Sequence, residues 1–146
     1  MRHVRLMKPS IPGMTIVQCS ASAPEIVARL EKTLQSRGIT VFARIDHAAN
    51  AAAVGLILRP TTLLVFGDPR SGTHLMQVAQ TAGFDLALRA LVWTDAQDET
   101  WLGYTDVASL AAKHAIAVDD ATVAAIDTVL ARIAAEVTSR QQLVIG

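Results

Sequence analysis

Residues 61–76 read Thr-Thr-Leu-Leu-Val-Phe-Gly-Asp-Pro-Arg-Ser-Gly-Thr-His-Leu-Met. The run from Thr62 to Phe66 is apolar on both faces, as a central strand is. It passes into Gly67-Asp-Pro-Arg-Ser-Gly72, whose residue types favour a tight turn. A helix beginning at Ser71 or Thr73 and running to about Thr81 follows. A strand that turns directly into a helix calls for a sheet with helices packed against it. The same order aims backbone N–H groups at one point, the geometry with which proteins hold anions. Because the chain must reverse sharply, Gly67 or Gly72 is expected at positive φ.

The turn keeps the frame of a phosphate loop, Gly-x-x-x-x-Gly-Lys-Ser/Thr, for six positions. Then Thr73 stands where the lysine belongs and His74 where the Ser/Thr belongs. Without that lysine the terminal phosphates of a nucleotide lose their charge partner, so nucleotide hydrolysis is not expected. Two readings remain. Gly67, Asp68, Pro69 and Gly72 make a turn and a cap and nothing more. Alternatively, Arg70 faces a carboxylate or phosphate at the helix N-terminus, with Ser71, Thr73 and nearby N–H groups donating.

Around this segment the chain reads as alternating elements. Residues 14–20 form a first strand. Ser22 to Glu25 is a capping box opening a helix with Ile26, Val27, Leu30 and Leu34 at helical spacing, closed by Gly38. Residues 39–45 alternate as a half-buried strand. Asp46 caps a short helix from Ala48 to Val54. Residues 88–94 and 99–104 form a hairpin across Asp95-Ala-Gln-Asp98. Asp106 caps a short helix to His114, and Asp119 or Asp120 caps the last helix. That helix carries Val123, Ile126, Leu130, Ile133 and Val137 at spacings of three and four. The stripe packs on the chain's own sheet, or part of it is an intermolecular face. This order, with its hairpin, argues for an α+β fold and a mostly antiparallel sheet covered by helices.

Composition bounds the function. The chain has 146 residues, the size of one domain, and 51% of them are hydrophobic, enough for a sizeable core. Thirteen basic and thirteen acidic residues cancel. Nucleic-acid binding, which needs a basic excess, is therefore not expected. Near-zero charge also permits self-association. A single cysteine, Cys19, rules out an internal disulfide and a cysteine cluster for zinc, and it reads as a small core residue. No apolar run is long enough to span a membrane, and residues 1–13 lack the apolar core of a secretory signal. The expectation is a cytoplasmic protein with one domain over residues 14–140 behind an N-terminal extension.

The remaining polar residues give no firm constellation. His3, His47, His74 and His114 contain no i, i+4 metal-ligand pair, so no metal site is expected. Arg44, Asp46, Arg59, Asp85 and Arg89 flank apolar segments, where they make surface pairs; alternatively, an arginine on a strand face, Arg44 or Arg89, lines a ligand pocket. With a four-residue hairpin loop, Trp93 opposes Thr100 and Val92 opposes Trp101. The two tryptophans then point to opposite faces of the sheet.

Several blocks carry a resemblance: Gly38-Ile-Thr-Val-Phe-Ala-Arg-Ile-Asp-His47, the segment from Ala53 to Met76, Asp85-Leu-Ala-Leu-Arg-Ala-Leu-Val-Trp-Thr-Asp95, and Trp101-Leu-Gly-Tyr-Thr-Asp106. In order and spacing over roughly residues 14–138 the chain resembles the "domain of unknown function 302" family. Asp68 stands where that family commonly has asparagine, which weakens anion binding nearby. Ala87 stands where a proline commonly follows Asp-Leu. The resemblance implies a sheet covered by helices, similar to the TATA-box-binding-protein type of β-α-β(4)-α arrangement, often as a homodimer. It implies no activity, cofactor or catalytic residue.

Three functional readings follow. The first is a cytoplasmic dimeric domain binding a small apolar or anionic ligand through Arg44, Arg59 and residues 67–74, that is Gly67, Asp68, Arg70, Ser71, Gly72, Thr73 and His74. The second is a structural or protein-interaction module. The third, least favoured, is a small enzyme using Asp68, His74 or the Asp46/His47 pair as acid–base groups.

Overall fold

The computed structural model describes residues 8–139. Five strands form one antiparallel sheet: β1 (Met14–Cys19), β2 (Thr40–Asp46), β3 (Thr61–Gly67), β4 (Leu88–Thr94) and β5 (Thr100–Thr105). Their order across the sheet is β1-β5-β4-β3-β2. Helix α1 (Ala23–Ser36) connects the two edge strands, and α2 (His47–Ala53) lies between β2 and β3. Helix α3 (Pro69–Val78) and a 3-10 turn (Gln80–Phe84) link β3 to β4, and α4 (Val107–Lys113) and α5 (Ala121–Thr138) end the domain. This is the α+β, β-α-β(4)-α frame with short helices inserted in its connections.

Local capping chemistry sets the helix starts. Ser22 accepts from the Glu25 amide, Asp46 from Ala49, Asp106 from Ala108 and Ser109, and Asp120 from Thr122 and Val123. Helix α1 stops at Arg37, and Gly38 at φ 70° turns the chain toward β2. Helix α3 begins earlier than expected. Asp68, not Ser71 or Thr73, is its cap, and Pro69 occupies the first helical position, where no N–H is needed. Gly72 is therefore inside the helix. The positive-φ glycines are Gly13, Gly38 and Gly55, so the expected left-handed turn at Gly67 or Gly72 does not form.

Helices α1 and α5 cover one face of the sheet. Ile26, Leu30 and Leu34 of α1 and Leu130, Ile133 and Val137 of α5 pack with Leu64, Phe66, Val92 and Leu102. The apolar stripe of α5 thus faces the chain's own sheet. A second core, built from Leu75, Ala82, Val107, Leu110, Ile116 and Val123, joins α3, α4 and the start of α5. Ile126 packs against both.

The hairpin corrects the tryptophan expectation. Thr94 pairs with Thr100 and Trp93 with Trp101. Asp98 adopts φ 65° and Asp95 Oδ1 accepts from the amides of Gln97 and Glu99, each at 2.9 Å. Aspartate tolerates the left-handed region, and the extra residue shifts the register by one. Both tryptophans therefore lie on the face opposite α1 and α5. Gly103 sits beneath them. A Cβ there would meet Met14 Sδ at 2.5 Å and a Trp93 ring carbon at 3.2 Å, so only glycine lets these side chains lie flat on the sheet.

Strand β2 holds a second irregularity. The register shifts between Val41 and Ala43, leaving Phe42 in a bulge. Val41 packs in the covered core, whereas Ile45 pairs beside Leu63 on the other face, although the two are evenly spaced.

Cys19 is buried at the end of β1, where burial raises its thiol to about 11 against a smaller opposing effect of Arg29. It is a core residue rather than a nucleophile. Among the described residues, no helix is long and apolar enough to cross a membrane.

Candidate functional site

A cleft of about 790 Å³ opens where the two cores meet. One wall is the end of β3 and the start of α3, with Val65, Phe66, Gly67, Asp68, Ser71, Gly72 and Thr73. A second is α5, contributing Ala125, Ile126, Val129, Leu130 and Ile133. Ile39, Phe42, Leu86, Ala87 and Leu88 complete the lining, with Met76 of α3, Gly83 of the 3-10 turn and Arg37. The volume lies within the range of small-molecule pockets, about 300–1,000 Å³. The lining is aliphatic and aromatic for most of its extent, with polar groups confined to Arg37, Asp68, Ser71 and Thr73.

Each wall has a local cause. The bulge turns Phe42 outward, 54% exposed, beside Gly67. Asp68 holds the first turn of α3 by accepting from the Arg70 amide at 3.0 Å. The Gly72 amide donates to the Asp68 carbonyl at 3.0 Å. A carboxylate thus already occupies the N-terminus of α3, where it complements the helix dipole and repels a second anion. Arg37 pairs with Glu136 at 3.3 Å.

Of the residues expected to form one site, Gly67, Asp68, Ser71, Gly72 and Thr73 line this cleft. Arg70 and His74 are exposed on α3 and lie outside the lining. Arg44 pairs with Glu31 of α1 at 2.9 Å. Arg59 lies in a separate depression of about 880 Å³, lined by Gln18, Ser22, Asp98 and Glu99 among others. Residues 67–73, Arg44 and Arg59 therefore do not converge. Arg37, Phe42, Leu88 and Val129 are cleft residues that the sequence did not single out, and Ile126 was marked only as part of the α5 stripe.

A polar brace supports the floor of the cleft. Asp85, next to the lining residue Leu86, accepts from His114 Nε2 at 2.6 Å and pairs with Lys113 at 3.1 Å. His114 Nδ1 shares a hydrogen bond with Thr81 Oγ1 at 2.9 Å. The brace ties the 3-10 turn and the start of β4 to the end of α4. The Leu86–Ala87 peptide between brace and strand is cis. Among the described residues, no group of three His, Cys, Asp or Glu side chains is placed to hold a metal ion.

Two carboxyls are held below the ordinary aspartate range. The hydrogen bond from His114, then that from Lys113, lowers Asp85. The hydrogen bond from Trp101, then the Glu99 amide, lowers Asp95. A carboxyl depressed in the folded state binds fewer protons than in the unfolded chain. Its stabilisation is complete above the unfolded pKa of about 3.9 and is lost as pH falls through the lower folded value. Stability to urea is therefore expected to drop below about pH 4. Asp85→Asn and Asp95→Asn should each flatten that drop, as measured by denaturation from pH 2 to 6.

With fold and cleft in place, comparison with known proteins is decisive at the family level. A family model described as "Domain of unknown function DUF302" matches residues 15–136. The chain belongs to the DUF302 family. A crystal structure of an uncharacterized conserved DUF302 protein from Bacillus stearothermophilus superposes with a TM-score of 0.75. The match covers 85% of this chain and 97% of that one at 19% identity, a likeness of fold alone. This DUF302 chain is also 42% identical over 104 residues to "Fluoride-specific ion channel FluC 1" of Brucella suis biovar 1, covering 71% of the chain and 41% of the relative. It is equally similar to "Fluoride-specific ion channel FluC 2" of Brucella melitensis biotype 1, covering 38% of that protein. The chain thus spans about two fifths of the length of these curated relatives.

Proposed function

We propose that this DUF302 domain binds a small, largely apolar molecule in the cleft between α3, α5 and the β2–β3 corner. The observation carrying this reading is the lining itself. Some 790 Å³ is walled by Ile39, Phe42, Leu88, Ile126, Val129 and Ile133, with polar groups only at the α3 end and at Arg37. Apolar walls reward removal of hydrocarbon from water at about 25 cal/mol per Å². The few polar groups at one end suit a ligand with a polar head. The lining holds the hydroxyls of Ser71 and Thr73 but no histidine or cysteine, and the carboxylates of Asp46 and Asp68 are engaged in helix caps. Binding without chemistry is therefore favoured over an acid–base enzyme. Native mass spectrometry of protein purified from its expression host, before and after organic extraction, tests this. A mass excess of a few hundred daltons that extraction removes is expected. A bare chain that also fails to take up added medium-chain fatty acid contradicts the proposal.

A second reading comes from the partial match to proteins named as fluoride channels. It makes this domain an accessory that works beside such a channel. The same purification from mild detergent supports it if a membrane protein of that kind accompanies the chain.

A further inference from the structure

The brace of Asp85, His114 and Thr81 also has the order of an activated nucleophile. Thr81 Oγ1 lies 2.9 Å from His114 Nδ1, and His114 Nε2 lies 2.6 Å from Asp85 Oδ2. The sequence of groups runs from inside to outside. The side chains of Asp85 and His114 are 15% and 8% exposed, whereas Thr81 is open to solvent. Hydrogen bonds from His114 and Lys113 keep the Asp85 carboxyl ionised. An ionised carboxylate only accepts, so His114 Nε2 carries the proton. In the neutral ring Nδ1 is then an acceptor, and Thr81 Oγ1–H donates to it. A hydroxyl thus rests on a base whose tautomer a carboxylate fixes, the arrangement that makes a weak hydroxyl a nucleophile.

Two short elements build this group. The 3-10 turn carries Thr81 and is capped by Asp85. His114 caps the end of α4, its amide donating to the Leu110 and Ala111 carbonyls, and Ala115 at φ 60° turns the chain away. In a 3-10 turn, side chains three apart share a face, which sets Phe84 beside Thr81. The Phe84 ring is 85% exposed. Lys113 Nζ lies 5.8 Å from that ring's centroid and 3.1 Å from Asp85 Oδ2. The hydroxyl therefore has an exposed aromatic ring and an ammonium in its neighbourhood. Thr81, His114 and Asp85 are all absent from the lining of the ligand cleft.

We propose that Thr81 is the nucleophile of an acyl-transfer site for small apolar carboxylic esters, with His114 as its general base and Asp85 as the residue that positions the base. The inference goes beyond ligand binding in the cleft and does not depend on it. Thr81 Oγ1 bonds to the ester carbonyl carbon while its proton passes to His114 Nδ1. The carbonyl π pair moves onto oxygen, with the Lys113 ammonium as its counter-charge. When the carbonyl re-forms, the bond to the leaving oxygen breaks, and that oxygen takes the proton from Nδ1. Water then attacks the acyl-Thr81 ester by the same route. Its proton passes to Nδ1, the bond to Oγ1 breaks, Oγ1 takes the proton back, and a carboxylic acid departs. The Phe84 ring receives the apolar part of the substrate.

An alkyl fluorophosphonate, which bonds its phosphorus to an activated hydroxyl and releases fluoride, tests the assignment on the full chain. Tandem mass spectrometry should find one adduct per chain, on the peptide containing Thr81. Thr81→Ala, at an exposed position, should leave the urea melt in place and abolish the adduct, and Thr81→Ser should restore it. Hydrolysis of p-nitrophenyl butyrate should fall roughly a hundredfold or more in Thr81→Ala and in His114→Gln, the usual worth of a general base. In Asp85→Asn the amide can offer an N–H to Nε2 and so favour the wrong tautomer. That variant should lower the maximal labelling rate while the half-saturating reagent concentration stays the same. Wild type that forms no adduct would overturn the proposal, as would an adduct that survives Thr81→Ala. Equal ester hydrolysis by wild type and Thr81→Ala would also overturn it, leaving a structural brace only.

Discussion

Replacing Trp101 with alanine is expected to cost about 3–5 kcal/mol of folding free energy, the range for emptying a buried aromatic site. Trp101 is only 2% exposed, on the face of the sheet opposite α1 and α5. On that face it lies between Trp93 and Gln18 of the neighbouring strands. Its Nε1–H donates to Asp95 Oδ2 at 2.8 Å, and Asp95 in turn holds the hairpin loop through the Gln97 and Glu99 amides. Alanine therefore removes both a packed ring and the anchor of the loop that sets the β4–β5 register. Urea denaturation gives the total loss. Trp101→Phe keeps most of the buried area and releases only the Asp95 bond, so it should fall between wild type and alanine. If the alanine variant is as stable as wild type, the hairpin is not held by this residue.

Placing a large ring in the cleft is the second strong expectation. Val129 lies on α5 and lines the cleft while remaining partly exposed. A packed interior resists such a change by about 1–3 kcal/mol, whereas a cleft open to solvent accepts the indole with little strain. Val129 packs against the main core on one side and faces the cleft on the other, so Val129→Trp should cost about 1 kcal/mol, the low end of that range. It should weaken uptake of an apolar ligand at least tenfold, because the ring takes the ligand's volume. Ala125→Trp, at an exposed lining position on the same helix, provides a rim variant that cannot disturb the core.

What the sequence disclosed follows the range over which each signal acts. Caps are local, so Ser22, Asp46, Asp106 and Asp120 mark their helices in the linear text. The central strand Thr61–Gly67 is equally plain, because burial on both faces removes polar residues from it. Register depends on one residue's φ. Asp98 in the left-handed region lengthens the loop by one and turns both tryptophans to the same side. The bulge at Phe42 is similar: alternation in the sequence is regular, but the hydrogen-bond ladder is not. The start of α3 was misplaced because two serine/threonine candidates follow Asp68-Pro69, a pair that is itself a strong helix opening.

The cleft was legible on one wall only. Positions 67–73 announce themselves as a turn before a helix. Arg37, Phe42, Leu88 and Val129 come from four separate elements, and topology alone brings them together. Each is unremarkable in its own segment: a helix C-cap, a strand residue, the start of a strand, and a member of an amphipathic helix. Two arginines show the converse. Arg44 and Arg59 resemble ligand contacts by type, yet Arg44 is engaged by Glu31 and Arg59 stands beside Asp95.

Titration of 11-(dansylamino)undecanoic acid, a fluorescent aliphatic chain with a carboxylate end, into wild type and Val129→Trp in parallel tests the binding proposal most directly. The account predicts saturable enhancement with one site per chain for wild type, displacement by unlabelled dodecanoate, and at least tenfold weaker binding by the variant. Absence of saturable binding to wild type, or identical curves for the two proteins, would contradict it.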